Sequence, residues 1–214
     1  AQSYADEHGT GRSSLPGYGA TALPTTAGWI NGTSSHAVEF DDIFKDAIYH
    51  PGVPTVSAAL AVGEHIGASG EDFLRAVVVG YEISTRIGAA VQPSHYHFFH
   101  TTGTIGCFAS AAAAAFLLAP KDRLVMAHAL ATAGSFAAGL QQAFRSDSMT
   151  KALHGGHGIV LLVGDRLGIR VGLILVDGVP YLLFAPVVTQ QVARHLEQKR
   201  PWLLDLGAVA VAQP

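Results

Sequence analysis

Apolar residues recurring at every third or fourth position divide the stretch from Thr25 to about Leu167 into Ala-rich helical segments. Short punctuators such as His50-Pro51-Gly52 and Ala119-Pro120 separate them, and at least five helices are expected. The best delimited one starts at Ser69-Gly70-Glu71-Asp72, where Ser69 can cap the helix and Asp72 can answer as a capping-box acid. Its body repeats Phe73, Leu74, Ala76, Val77, Gly80, Tyr81, Ile83 and Ile87 at helical spacing, leaving Glu71, Arg75, Glu82 and Arg86 largely outside that stripe. A second helix is expected from about Gly103 to Leu118, where the run Ala111 to Ala115 allows neighbours to approach on most sides. A third, from about Asp122 to Leu140, carries Gly134 and Gly139 as close-approach positions, the pattern of a tight all-α layer.

The pattern changes at both ends. Residues 1–24 are rich in Gly, Ser and Thr, with prolines at 16 and 24, and read as an extended arm. After Gly158, Ile169 to Leu175 and Tyr181 to Phe184 read as two apolar strands around Asp177-Gly178, a hairpin signal, with Pro180 demoting the second toward an edge. Thr189 to Lys199 reads as a short helix. The expected fold is therefore mainly α: a helical, bundle-like domain over 25–167, an arm before it, and an atypical segment over 168–214 with a short hairpin and helix.

Composition narrows the function classes. Of 214 residues, 49% are hydrophobic and 14% charged, enough for a packed core and incompatible with a disordered tail. A formal charge of −3 and a pI near 6.4 provide no electrostatic footprint for nucleic acid or an anionic membrane. The apolar stretch from Ile105 to Ala119 is too short and too rich in small residues to span a bilayer, and reads as a buried helix. The opening residues carry neither a basic nor an apolar leader region, so no signal peptide is expected. The single cysteine, Cys107, lies inside an apolar run and suits a core role in a reducing compartment.

Histidine is the unusual residue. Nine of the eleven fall between His36 and His157, most at segment ends. Four stretches stand out: Asn31 to Asp42, containing His36, Glu39, Asp41 and Asp42; His50-Pro51-Gly52; His95 to Gly103, containing His97, His100, Thr101 and Thr102; and Lys151 to His157, containing His154. They place imidazoles, a primary amine and carboxylates at helix mouths, where backbone N–H groups also point outward, a set suited to an anionic small molecule. His100 with Thr101 and Thr102 forms a carboxylate cradle, while Lys151 beside His154 pairs a fixed charge with a group that can move a proton.

Other chemistries fit less well. His95, His97 and His100 match no zinc spacing, even with Asp41 and Asp42 to help, so no metal is expected. Cys107 has no nucleophile context, no G-x-S-x-G elbow occurs, and His154-Gly155-Gly156-His157-Gly158 lacks a Walker lysine. Some residues have plainer readings: His65 and His128 as ordinary helix residues, Lys121-Asp122-Arg123 as a solvated helix start, and Asp41-Asp42 as a helix cap.

In order, Asn31-Gly32-x3-His36-x2-Glu39-Phe40-Asp41-Asp42, His50-Pro51-Gly52, Gly80-Tyr81-Glu82 with Arg86-Ile87, Phe99-His100-x-Thr102-Gly103 with Gly106, and Lys151-x-Leu153-His154-Gly155-Gly156 resemble the MmgE/PrpD family. That family includes 2-methylcitrate dehydratase, cis-aconitate decarboxylase and iminodisuccinate epimerase. The resemblance covers about Gly28 to Gly158. It implies a large helical domain carrying most of the site, a smaller α+β lid that has no counterpart after Gly158, a homodimer, and no metal or organic cofactor.

Carried over by motif, the family's catalytic positions fall on Asp41, Asp42, His50, His100 and Lys151, with His36, Glu39, Thr101, Thr102 and His154 as substrate-binding neighbours. On this resemblance Lys151 and His50 hold substrate carboxylates, His100 exchanges a proton on carbon or assists departure of hydroxide, and an acid from Asp41 or Asp42 orients an imidazole. The function so implied is a cofactor-independent hydro-lyase on 2-methylcitrate or a related tricarboxylate in the cytoplasm. A cis-aconitate-type decarboxylase, an iminodisuccinate-type epimerase and an inactive carboxylate-binding or dimerising fragment are the alternatives.

Overall fold

The computed structural model describes residues 3, 7, 9–146, 148–159, 175–176 and 179–180. Within them the chain is mainly helical. The helices are α1 (Pro24–Ala37), α2 (Gly52–Ile66), α3 (Gly70–Val91), α4 (Thr101–Leu118), α5 (Arg123–Phe136) and α6 (Thr150–His157).

Helix α4 is the hub, packing against α2, α3, α5 and α6. Its residues are buried on all sides except at Phe116 and Leu118, because a surface of Ala, Gly, Ser and Thr lets four neighbours come close at once. By length and composition α4 is apolar enough to cross a membrane, yet 89% of it is covered by protein, as expected of a core helix. Tyr49, Ile105 and Phe108 fill one side of the core, while Val62, Ala113 and Leu117 fill another. Burying each large apolar side chain contributes about 1.5–3 kcal/mol.

The helix starts follow local chemistry. Ser69 caps α3 by accepting the Asp72 N–H at 3.1 Å, and its hydroxyl donates to the Asp72 carboxylate at 2.7 Å. That carboxylate thus meets the Ser69 hydroxyl, where the capping-box reading has it reach the Ser69 backbone. Asp122 caps α5 through the N–H groups of Leu124 and Val125, as the solvated-start reading expects. Helix α5 ends at Phe136, short of the expected Leu140. Gly139 takes a φ of +145°, which leaves the helical region, and its carbonyl accepts the His100 N–H at 3.0 Å. The glycine expected as a close-approach position is one, since a Cβ there would lie 3.2 Å from the Gly103 Cα, and its carbonyl also anchors the entry to α4.

The arm contains a short hairpin, β1 (Ser13–Leu15) with β2 (Ala20–Ala22), antiparallel with Ser14 opposite Thr21. It is sewn to α2 by the Ser13 hydroxyl on the Ala61 carbonyl and the Ser14 hydroxyl on Glu64. Near the C-terminus β3 (Leu175–Val176) pairs antiparallel with β4 (Val179–Pro180), placing a hairpin around the expected Asp177-Gly178. The strand residues 169–174 and 181–184, and the helix expected over 189–199, lie outside the described residues.

Helix α6 lies directly on α1. A Cβ at Gly155 would sit 2.7 Å from the Gly32 carbonyl oxygen and 2.8 Å from the His36 Cβ, so only glycine permits this approach. The approach matters because α6 carries Lys151 and His154.

Candidate active site

The polar side chains at the adjoining ends of α1, α2, α4 and α6 form one cluster. His36 belongs to the last turn of α1, His50 precedes α2, His100 stands just before the first residue of α4, and Lys151 and His154 share one face of α6 at i, i+3 spacing. Ring centroids of His36 lie 5.5 Å from His100, nearly parallel, and 5.4 Å from His50, while His100 and His154 are 5.0 Å apart. Phe144 sits edge-on to His100 at 4.7 Å, and the Lys151 Nζ lies 5.2 Å above the Phe144 ring. Phe40, Phe98 and Met149, neighbours in sequence of these groups, are strongly exposed.

Hydrogen bonds assign protons to the rings. His50 Nδ1 lies 2.7 Å from the Asp42 backbone carbonyl, which can only accept, so Nδ1 carries the hydrogen and a neutral His50 keeps its lone pair on Nε2. The Thr102 hydroxyl accepts the His50 backbone N–H at 3.3 Å. His36 Nδ1 donates to Asp41 Oδ2 at 2.7 Å, and that oxygen is also 3.6 Å from His50 Nδ1. His36 Nε2 is buried with no partner among the described residues, an acceptor whose desolvation costs about 1–3 kcal/mol. The Nδ1 atoms of His100 and His154 face each other at 2.7 Å. Lys151 Nζ donates to both oxygens of Glu39.

Burial governs the electrostatics. His100 is pushed far below the ordinary 6.5, to about 2, chiefly by desolvation, with His154, His36, Lys151 and His50 adding repulsion. His154 is pushed down to about 4 by desolvation, then by His157 and His36. His36 is lowered by burial, partly opposed by Asp41. At neutral pH these three rings are uncharged, each with one N–H and one lone pair.

The same shifts set a pH dependence. Each folded-state value lies below the unfolded 6.5, so the unfolded chain binds more protons on acidification and stability falls as pH drops below 6.5. The thermal midpoint is expected to be level above about pH 7 and to fall steadily between 6.5 and 4. A midpoint indifferent to that window in a calorimetric series would contradict neutral burial of the rings.

Residues 1–159 match the MmgE/PrpD N-terminal domain. The chain belongs to the MmgE/PrpD family. The match reaches further toward the N-terminus than the motifs, which begin near Gly28, and it ends where the helical pattern stops. Human cis-aconitate decarboxylase is 30% identical over 204 residues, covering 87% of this chain and 40% of the human protein. The mouse protein of the same name is 29% identical with the same coverage of each chain. A cis-aconitate decarboxylase-like protein of Aspergillus oryzae is 32% identical over 57% of this chain and 28% of its own length. The chain thus spans about 40% of the length of its two mammalian relatives.

Within this MmgE/PrpD domain, His36, Asp41, His50, Thr102, His100, His154 and Lys151 are brought together in one cluster. Asp42, Thr101 and Glu39 are each tied to a protein partner. Asp42 accepts the Gly52 N–H and the Tyr81 hydroxyl, both at 2.9 Å, so its carboxylate caps α2 while its backbone carbonyl orients His50. The plain reading of this pair as a helix cap therefore applies to Asp42. Thr101 is fully buried and accepts from Gln92 Nε2 at 3.1 Å, which ties it to the end of α3. Glu39 accepts from Lys151 at an exposed position with a left-handed φ of 54°.

Two participants were not singled out from sequence. Tyr81, held well above its ordinary 10 by burial and the Asp42 carboxylate, stays a donor that clamps Asp42. The Gly80-Tyr81-Glu82 motif was its signal. Phe144 had none, since an aromatic in an irregular stretch is unremarkable until His100 and Lys151 are placed on it. Among the described residues no group of three His, Cys, Asp or Glu side chains is disposed to hold a metal ion.

Proposed function

We propose that this chain carries the proton-handling half of a cofactor-independent lyase for tricarboxylates, and that its reaction is decarboxylation of cis-aconitate or a close analogue. The observation that carries the reading is the convergence of Lys151, His50 and His100 on one cluster while Asp41 and Asp42 hold two imidazoles from behind. The names of the three relatives favour decarboxylation.

Lys151 exchanges the Glu39 carboxylate for one of the substrate's, a trade between equal charges that leaves the amine paired throughout. His50, with its Nδ1–H tied to the Asp42 carbonyl, meets the bound anion as an imidazolium, donating a second proton on Nε2 to a substrate carboxylate. As the C–CO2 bond breaks, the electron pair stays on carbon, delocalised toward a remaining carboxylate, and His100 supplies the proton that quenches it. Tricarboxylate and one proton give dicarboxylate and carbon dioxide.

Dehydration of 2-methylcitrate is the second reading. It needs a base for one proton and an acid for departing hydroxide, and two imidazoles, His50 and His100, have Nε2 atoms free of protein partners among the described residues. The proposal also includes assembly as a homodimer in the cytoplasm, in keeping with a buried Cys107 whose thiol is pushed up to about 11.

Purified full chain incubated with cis-aconitate is expected to release carbon dioxide, and the same chain with 2-methylcitrate to form no alkene. Alkene formation without decarboxylation would move the assignment to the second reading. Neither product, with citrate bound but unchanged, would overturn catalysis in favour of a binding fragment.

A further inference from the structure

Three features have no part in the steps above: the shallow dish of Ala119 to Arg123, the exposed apolar side chains at Phe40, Phe98 and Met149, and the contact of His154 with His100. The dish lies at the far end of α4 from His100 and carries no convergent donors, and nothing identifies a cover for the apolar side chains. The histidine contact leads further.

We infer that His154 is the positioning residue that sets the tautomer of His100, and that the two rings pass a proton as a unit between His100 Nε2 and His154 Nε2. Two ring nitrogens at 2.7 Å need one hydrogen between them: two lone pairs repel, and two N–H groups collide. With both rings neutral, one is therefore the Nδ1–H tautomer and the other the Nε2–H tautomer. Neither Nε2 has a protein partner among the described residues. When a proton arrives at His100 Nε2, the Nδ1 hydrogen crosses to His154 Nδ1, and the proton of His154 Nε2 leaves. The reverse passage delivers a proton at His100. One proton enters, one leaves, and no imidazolium remains.

That last point is why the pair is useful. Alone, a ring as desolvated as His100 is a feeble base, because the cation it must form is penalised by burial and by His36, His50 and Lys151 around it. Passing the charge on removes the penalty. The outer ring is the more exposed of the two, so the path leads from a buried end toward solvent, and His157 and His36 are the titratable groups that act on its charge. Asp41 neutralises the His36 and His50 side of this surround and Glu39 the Lys151 side. The contact is also built for: a Cβ at Gly103 would lie 3.1 Å from His154 Cγ, so glycine there keeps room for the ring.

The proton path rests on the proposed role of His100, whereas the tautomer pairing does not, and the test separates them. In full chain labelled with 15N-histidine, two-bond 1H–15N spectra at pH 7 should show His100 and His154 as neutral rings of opposite tautomer. His154→Phe should release His100 to the ordinary tautomer mixture. His154→Asn, which keeps a polar group near Nδ1 but cannot relay, should hold a single His100 tautomer. For both variants kcat with cis-aconitate should fall by about a hundredfold with KM little changed, the lower range for a positioned acid–base group. Like tautomers, an imidazolium in either ring at pH 7, or a His100 spectrum indifferent to His154→Phe would overturn the pairing, with or without enzyme activity. Opposite tautomers with full turnover in His154→Asn would overturn the relay. Opposite tautomers in a chain that turns over neither substrate would sustain the pairing and overturn the lyase reading and the relay that rests on it.

Discussion

His100→Ala is expected to lower turnover of cis-aconitate by about three orders of magnitude while leaving the far-ultraviolet circular dichroism of the parent. The two halves of that result have separate causes. The side chain of His100 makes no capping bond to α4, and the N–H that joins Gly139 belongs to the backbone, so Ala preserves the helix start. The variant leaves a gap beside Phe144 and strands the His154 Nδ1, a cost of about 1–3 kcal/mol that a packed domain survives. Loss of the ring removes an imidazole that is buried, neutral and hydrogen-bonded to a second. Initial rates measured beside dichroism check this, and retained turnover would remove His100 from the chemistry.

Lys151→Met should act on binding. Met keeps the apolar stem over Phe144 but offers the anion no charge. A charged hydrogen bond contributes about 1.5–3 kcal/mol, so KM for a tricarboxylate is expected to rise about tenfold to a hundredfold. Glu39 compounds the loss, because without Lys151 its carboxylate stands unpaired beside the same anion. Calorimetric titration with citrate gives the change directly. An unaltered affinity would mean that Lys151 serves only to hold Glu39, and the double variant with Glu39→Gln would then restore nothing.

Some of this was legible from residue order. The cap at Ser69 and the start at Asp122 rest on side chains bonding to N–H groups two or three residues away, so sequence proximity suffices. Helix α1 is harder to read, because Pro24, Ala27 and Ile30 share its buried surface with Thr26, Gly28, Asn31, Gly32 and His36, which dilutes the apolar period. The end of α5 before Gly139 is not stated by the sequence: Gly139 is the close-approach glycine it reads as, and only its φ and its carbonyl on His100 show that the helix has already stopped.

By itself the sequence determined the helical class, the main helix boundaries and, through ordered motifs, the family and most of the clustered residues. These depend on local periodicity, on capping partners a few residues apart, and on residue types in series. Only the tertiary structure decided which of those residues meet. His36 and His100 stack across 64 positions and Lys151 finds Glu39 across 112 because glycines let α6 rest on α1 and α4 run through the centre. Proton placement was decided there too: whether a ring nitrogen faces a carbonyl, a carboxylate or another ring is a matter of distances between helices, and no order of residues along the chain states it.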